Sequence, residues 1–349
     1  MKSYKFMLAA AITVSLLTSS LPANFTLHTA YAAEQPTNEA AKKAATEATA
    51  LDNLDPAMIE KAKKALQELA PKRTMELTAL HSGAEAGYEY LGEDRLLIED
   101  KDKRARVMFG KAKGDILACE INFTWQELDT SLQSVIQKAM KSLDAQQKFK
   151  ITQITRVKAD KGMNHWTFND GSNISGMVDA ATGKATYVST DYALAKIDSK
   201  WSALAKKTIQ SLSADKSKQL RNFVQVYIDM QAENQKTAAF SDESGRYLVK
   251  VNAATGKLTS FVNYEEFIHY ASEEARMKAF AKPFYTSDKA VAAAAPMVKQ
   301  YFGLDLKGYQ VHVKQEHYTF TKQGKPSVYG KINGKGKFWS MSLTAPTTS

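Results

Sequence analysis

The sequence predicts an α+β protein made of tandem repeats, each one amphipathic helix packed on a small antiparallel sheet of three or so strands. Three observations carry this expectation. Four segments show apolar residues at helical spacing, two turn heptapeptides are nearly identical, and glycines at four turns recur at separations of 69, 73 and 80 residues.

The helices come first. Pro56 follows Asp55 in a first-turn position, and Ile59, Ala62, Leu66 and Leu69 mark one face until Pro71 stops the helix. Leu128, Leu132, Val135, Ile136, Ala139, Met140 and Leu143 form a second stripe that only a period near 3.6 aligns. A third stripe holds Trp201, Leu204, Ala205, Thr208, Ile209 and Leu212. A fourth holds Val291, Ala294, Ala295, Val298, Tyr301 and Phe302, ending near Gly303. Strands follow each stripe and need a cover, so core packing is the expected role of these faces.

The turns close each unit. Val178-Asp179-Ala180-Ala181-Thr182-Gly183-Lys184 and Val251-Asn252-Ala253-Ala254-Thr255-Gly256-Lys257 lie 73 residues apart, each flanked by β-prone residues. Asp179 or Asn252 would hydrogen-bond the turn backbone, while Gly183 or Gly256 would supply a left-handed conformation. Weaker copies carry Gly114, before Ile116 and Leu117, and Gly336, before Phe338 and Trp339. The predicted structural turn residues are thus Gly114, Asp179, Gly183, Asn252, Gly256 and Gly336.

These signals divide the chain into repeat 1 (55–127), repeat 2 (128–198), repeat 3 (199–263) and repeat 4 (287–349). A linking helix is expected over 264–286, starting at Tyr264, where Phe267, Ile268, Ala271 and Ala275 share a face. Ahead of the repeats, residues 1–32 read as a secretory signal: Lys2 and Lys5 precede an apolar run from Phe6 to Leu17, and Ala30-Tyr31-Ala32 offers a cleavage site after Ala32. That run is too short to span a bilayer, and no transmembrane segment is expected after cleavage. Residues 33–54, poor in large apolar groups, read as a flexible leader.

A helix followed by strands, with Val-Asp-Ala-x-Thr-Gly-Lys between the last two, resembles the PepSY domain and related repeats of secreted and cell-surface bacterial proteins. The match is clearest over 128–190 and 200–263. The resemblance implies non-catalytic modules, often propeptides or appendages of extracellular peptidases, that inhibit or regulate them. It supplies no catalytic residues to transfer.

Chemistry-bearing residues form no recognisable set. The histidines of the repeats, His81, His165, His269, His312 and His317, include no pair at helical ligand spacing. His312 and His317, five apart on strand-like sequence, should point to opposite faces unless a bulge intervenes. Glu316 between them completes no known zinc pattern. Cys119 is the only cysteine, so no intramolecular disulfide can form, and its apolar run places it in the core. No Gly-x-Ser-x-Gly elbow occurs, and Ser131 and Ser134 belong to the second helix. Asp160 to Asp170 lacks the regular oxygen ligands of a calcium loop. The pairs Glu265-Glu266 and Glu273-Glu274 read as solvated helix faces.

The net charge is +10, and removal of residues 1–32 leaves +8. This basic balance favours anionic surfaces, and after export nucleic acid is not an expected partner. The expected function is that of an exported, non-enzymatic binding or regulatory protein without a cofactor, whose partner is a secreted peptidase or another extracellular protein. The alternative is a structural envelope protein that holds anionic cell-wall polymer through lysines such as Lys61, Lys63, Lys64, Lys206 and Lys207.

Overall fold

The computed structural model describes residues 51, 54–82, 95–110, 114–146, 148–171, 173–231 and 235–346. The predicted signal and its cleavage site lie outside the described residues, as do nearly all of the leader and residues 111–113 of the first turn. Among the described residues no helix is long and apolar enough to cross a membrane.

One helix followed by four strands occurs four times along the chain. Helix α1 (Pro56–Leu69) precedes β1 (Leu77–Ser82), β2 (Arg95–Asp100), β3 (Ala105–Gly110) and β4 (Asp115–Phe123). Helix α2 (Thr130–Leu143) precedes β5 (Gln153–Ala159), β6 (Asn164–Asn169), β7 (Ser175–Asp179) and β8 (Ala185–Ala193). Helix α3 (Ser199–Leu212) precedes β9 (Phe223–Asp229), β10 (Gln235–Ser241), β11 (Tyr247–Asn252) and β12 (Leu258–Asn263). A short α4 (Glu273–Ala279) intervenes before α5 (Ser287–Phe302), β13 (Gln310–Lys314), β14 (His317–Thr321), β15 (Pro326–Ile332) and β16 (Phe338–Pro346).

The expected fold class is corrected here. In place of separate small sheets of three strands under helical repeats, all sixteen strands belong to one antiparallel sheet. The pairings that join successive groups of strands, such as Phe123 opposite Ile154 and Phe261 opposite Met341, are main-chain ladders between distant segments. Periodicity and turn chemistry are local, so neither reports such ladders.

The chain divides into two compact units at Val188 and Ser189. In the first, β1 to β7 and the start of β8 follow sequence order. Asp55 starts α1 by accepting a hydrogen bond from the Ala57 amide at 2.9 Å, and Pro56 occupies the first turn. Ala62 and Leu66 of α1 are buried against Ile98, Val107, Phe109 and Ile121. Arg73 lies over the Phe123 ring at 4.2 Å and pairs with Glu127 at 2.6 Å, fixing the segment that leaves α1.

In the second unit the order is β9-β10-β11-β12-β16-β15-β14-β13. The last four strands therefore enter the sheet in reverse, with β16 and not β13 beside β12. A strictly translated repeat would have placed β13 there, as β5 pairs with β4 in the first unit. Buried Ala205 and Ile209 of α3, and Ala290, Ala294 and Val298 of α5, face the sheet. Phe261 stacks with Phe302 at 6.0 Å and meets Tyr301 at 4.8 Å.

The predicted linking helix over 264–286 is also corrected, because only Glu273–Ala279 is helical. The Ser272 hydroxyl accepts from the Ala275 amide and starts the helix there. Upstream, Phe267 packs edge-on against Trp339 at 5.0 Å, and the Glu266 carbonyl accepts from Asn333 at 2.7 Å. These tertiary contacts hold 264–272 in turns against the end of the β15–β16 hairpin.

Two glycines test which local constraint is the stricter. Gly183 adopts φ +66° with nothing within 4 Å of an added Cβ, whereas a Cβ at Gly176 would stand 2.1 Å from Cζ of Phe168. Gly183→Ala should cost about 1 kcal/mol through backbone strain, and Gly176→Ala about 3 kcal/mol through overpacking. Urea denaturation of the two variants measures the difference.

Candidate functional site: the free edge at β13

The reversed order of the last strands leaves β13 at one end of the sheet, and among the described residues no strand pairs with its outer side. The other end of the order is β1, whose following residues, 83–94, lie outside the described set. The edge that the structure defines is therefore β13.

Its five residues alternate strictly. Val311 and Val313 stand opposite Phe320 and Tyr318, both fully buried, and so face the helical side. Gln310, His312 and Lys314 are exposed on the opposite face. The strand is short and ends in Lys314 followed by Gln315 at φ +58°, features that discourage indefinite pairing with copies of the same edge.

A charged cluster fixes the β13–β14 turn. Glu316 accepts a hydrogen bond from Arg276 of α4 and lies 3.4 Å from His317 Nε2. Arg276 in turn grips Glu273, with Nε 2.8 Å from Oε2. Burial raises the Glu316 carboxyl, but the hydrogen bonds from His317 and its own amide, with the charges of His317 and Arg276, outweigh burial and hold it at about 2. Glu316 Oε2 is buried and accepts no hydrogen bond among the described residues. Lys331, opposite His317 on β15, is pushed below the ordinary lysine value by burial. Its ammonium lies 5.8 Å from the Trp339 ring centre.

His312 and His317 correct an expectation from sequence spacing. A hairpin turn separates them, so His312 opposite Thr319 and His317 opposite Lys314 lie on the same face of the sheet. Glu273 lies on a solvated helix face, as its sequence suggested, and there it holds Arg276, a residue that sequence reasoning missed. Its only local signal was the spacing of three between Glu273 and Arg276 on a helix.

The turn residues singled out from the sequence sit elsewhere, at four separate hairpin ends. Asp179 Oδ1 accepts from the Thr182 amide at 2.7 Å and its hydroxyl at 2.8 Å, and these bonds hold the carboxyl below its ordinary value. Asn252 Oδ1 accepts from the Ala254 and Thr255 amides, both at 2.9 Å. The Gly183 and Gly256 amides donate back to residues 179 and 252 at 2.8 Å. Gly114, Gly183, Gly256 and Gly336 all adopt positive φ, between 60° and 77°. Gly114 receives α1, whose Lys61 donates to its carbonyl at 2.9 Å, and Trp201 of α3 lies 3.5 Å from the Cβ position of Gly256. Two of the turns, those of Gly114 and Gly256, thus seat helices.

Other candidates resolve into packing. Cys119 is buried on β4, and burial pushes its thiol up to about 12, so it stays protonated at neutral pH. An open depression of about 530 Å³ after β8 is lined by Ala193, Leu194, Ala195, Ile197, Ser199, Ser202 and Asn222, which include no acid or base. Among the described residues no group of three or more His, Cys, Asp or Glu is placed to hold a metal ion.

No family model matches the chain, and no curated protein matches it. The resemblance to PepSY repeats is withdrawn on the fold: a sixteen-stranded antiparallel sheet does not fit helical repeats on small sheets. The expectation of secretion rests on residues 1–32, outside the described residues, and that of a cell-wall setting on net charge, and the comparisons support neither.

The Glu316 cluster makes a pH-dependent prediction. A carboxyl held at about 2 stabilises the fold fully above the ordinary value of 4.5, and the contribution is lost as pH falls through 2. Glu316→Gln should lower unfolding free energy by roughly 2–3 kcal/mol at pH 7, and the gap from the parent protein should shrink between pH 4.5 and 2. Urea denaturation across this range measures both.

Proposed function

We propose that this chain is a binding protein that takes an extended segment of a protein partner onto the outer side of β13, without chemistry of its own. The single observation that carries the reading is that, among the described residues, no strand pairs with the outer side of β13 at the end of the sheet. Main-chain groups on that side would supply affinity, and Gln310, His312 and Lys314 on one face with Val311 and Val313 on the other would supply side-chain selectivity.

The setting supports recognition more than turnover. The Arg276–Glu316 pair anchors one end of the strand and keeps the edge from fraying before a ligand arrives. The strand's five residues match a segment of similar length. A peptidase, or another protein with an accessible extended segment, is the partner class this edge fits.

Selection from a library of unstructured decapeptides, followed by hydrogen exchange on the complex, tests the proposal. A bound peptide should slow exchange of the outward-facing amides of Gln310–Lys314 at least tenfold and leave β9–β11 unchanged. Protection confined to any other strand, or the absence of binders, overturns the reading.

A further inference from the structure

Helices α3 and α5 of the second unit carry five lysines and a single carboxylate, on a surface that the β13 reading does not use. Helix α3 carries Lys200, Lys206 and Lys207, and α5 carries Lys289 and Lys299. The only carboxylate within these two helices is Asp288. Among the described residues none of the five lysines makes an ion pair, and all except the half-buried Lys206 are exposed. Asp198, at the start of α3, is turned back onto its own helix, accepting from the Lys200 amide at 2.8 Å.

The two helices are neighbours. Ser211 of α3 and Tyr301 of α5 are hydrogen-bonded at 3.0 Å, and Phe261 of β12 packs against α5 through Tyr301 and Phe302. Their buried residues, Ala205, Thr208 and Ile209 on one and Ala290, Ala294 and Val298 on the other, take the sheet side, which sends the lysines outward. Five uncompensated charges on adjacent helices repel one another unless an anion answers them.

The composition of this surface selects among anions. The exposed large apolar residues, Phe223, Phe267, Met277 and Phe284, all lie off α3 and α5. An interfacial helix needs such residues to enter a bilayer, so insertion is disfavoured. All five cations are lysines, point charges without the rigid fork of arginine, which suits successive phosphates better than planar recognition of a single group. We infer that the outer surface of α3 and α5 binds a linear phosphate-rich polyanion through Lys200, Lys206, Lys207, Lys289 and Lys299.

Long-chain inorganic polyphosphate is the probe, with the full chain titrated at several salt concentrations. About five phosphate contacts at roughly 0.7 each give a log–log salt slope near −3.5, an affinity loss of about a hundredfold between 50 and 200 mM. Lys206→Glu combined with Lys207→Glu should weaken binding at least tenfold and reduce the slope to about −2. Lys138→Glu combined with Lys141→Glu changes net charge equally at exposed positions of α2, in the first unit, and should have little effect. Circular dichroism of both double variants confirms that each is folded. Absence of binding at low salt, equal losses in the two double variants, or preferential binding of anionic vesicles or duplex DNA over polyphosphate each overturns the inference. None of these outcomes bears on peptide capture at β13.

Discussion

An antiparallel sheet with apolar side chains on one face is stable in water only if that face is covered, and in each unit of this protein helices supply the cover, one of them seated on a hairpin end. Trp201 over Gly256 and Lys61 on the Gly114 carbonyl show the seating directly. The left-handed glycine brings the turn back sharply, and the preceding Asx side chain satisfies the turn amides that would otherwise lack partners. The helix start, the turn and the buried face are thus one coupled device. Its geometry limits what the remaining surface can do, because the sheet face under the helices is unavailable and only edges and outer surfaces are left for partners.

Reversal of the last four strands converts this device into a site. The segment 264–286 carries the chain past the end of β12 and is held there by Phe267 on Trp339 and Glu266 on Asn333. Once β16 has taken the place beside β12, β13 must be last, and its outer main-chain groups have no strand to meet. The Glu273–Arg276–Glu316 cluster stabilises the turn next to that edge, with a carboxylate whose burial is outweighed by hydrogen bonds and the neighbouring Arg276. Local strength beside an open edge favours a single ordered strand for recognition, and Lys314 limits unwanted pairing with other copies.

Charge follows the same division of labour. On the sheet of the first unit His81 lies beside Glu99 and Arg106 beside Glu120, whereas α3 and α5 of the second unit carry lysines that make no ion pair among the described residues. An exposed surface ion pair contributes little to stability, so the missing carboxylates on α3 and α5 take little from the fold. They leave a surface whose field is directed outward.

The amino-acid sequence by itself determined the local pieces: helices at Pro56, Thr130, Ser199 and Ser287, and hairpins at Asp179 and Asn252 with their left-handed glycines. Each rests on interactions within a few residues, a period of 3.6 or an Asx side chain facing its own turn. The lysines of α3 and α5 were legible in the same way, as residues off the apolar stripe. Tertiary structure alone decided that the strands form one sheet, that the last four enter it in reverse, that 264–272 is not helical, and that Arg276 meets Glu316. Those outcomes depend on ladders and contacts between segments 40 or more residues apart in several cases, and nothing in the pattern of a single strand states which distant strand will hydrogen-bond to it.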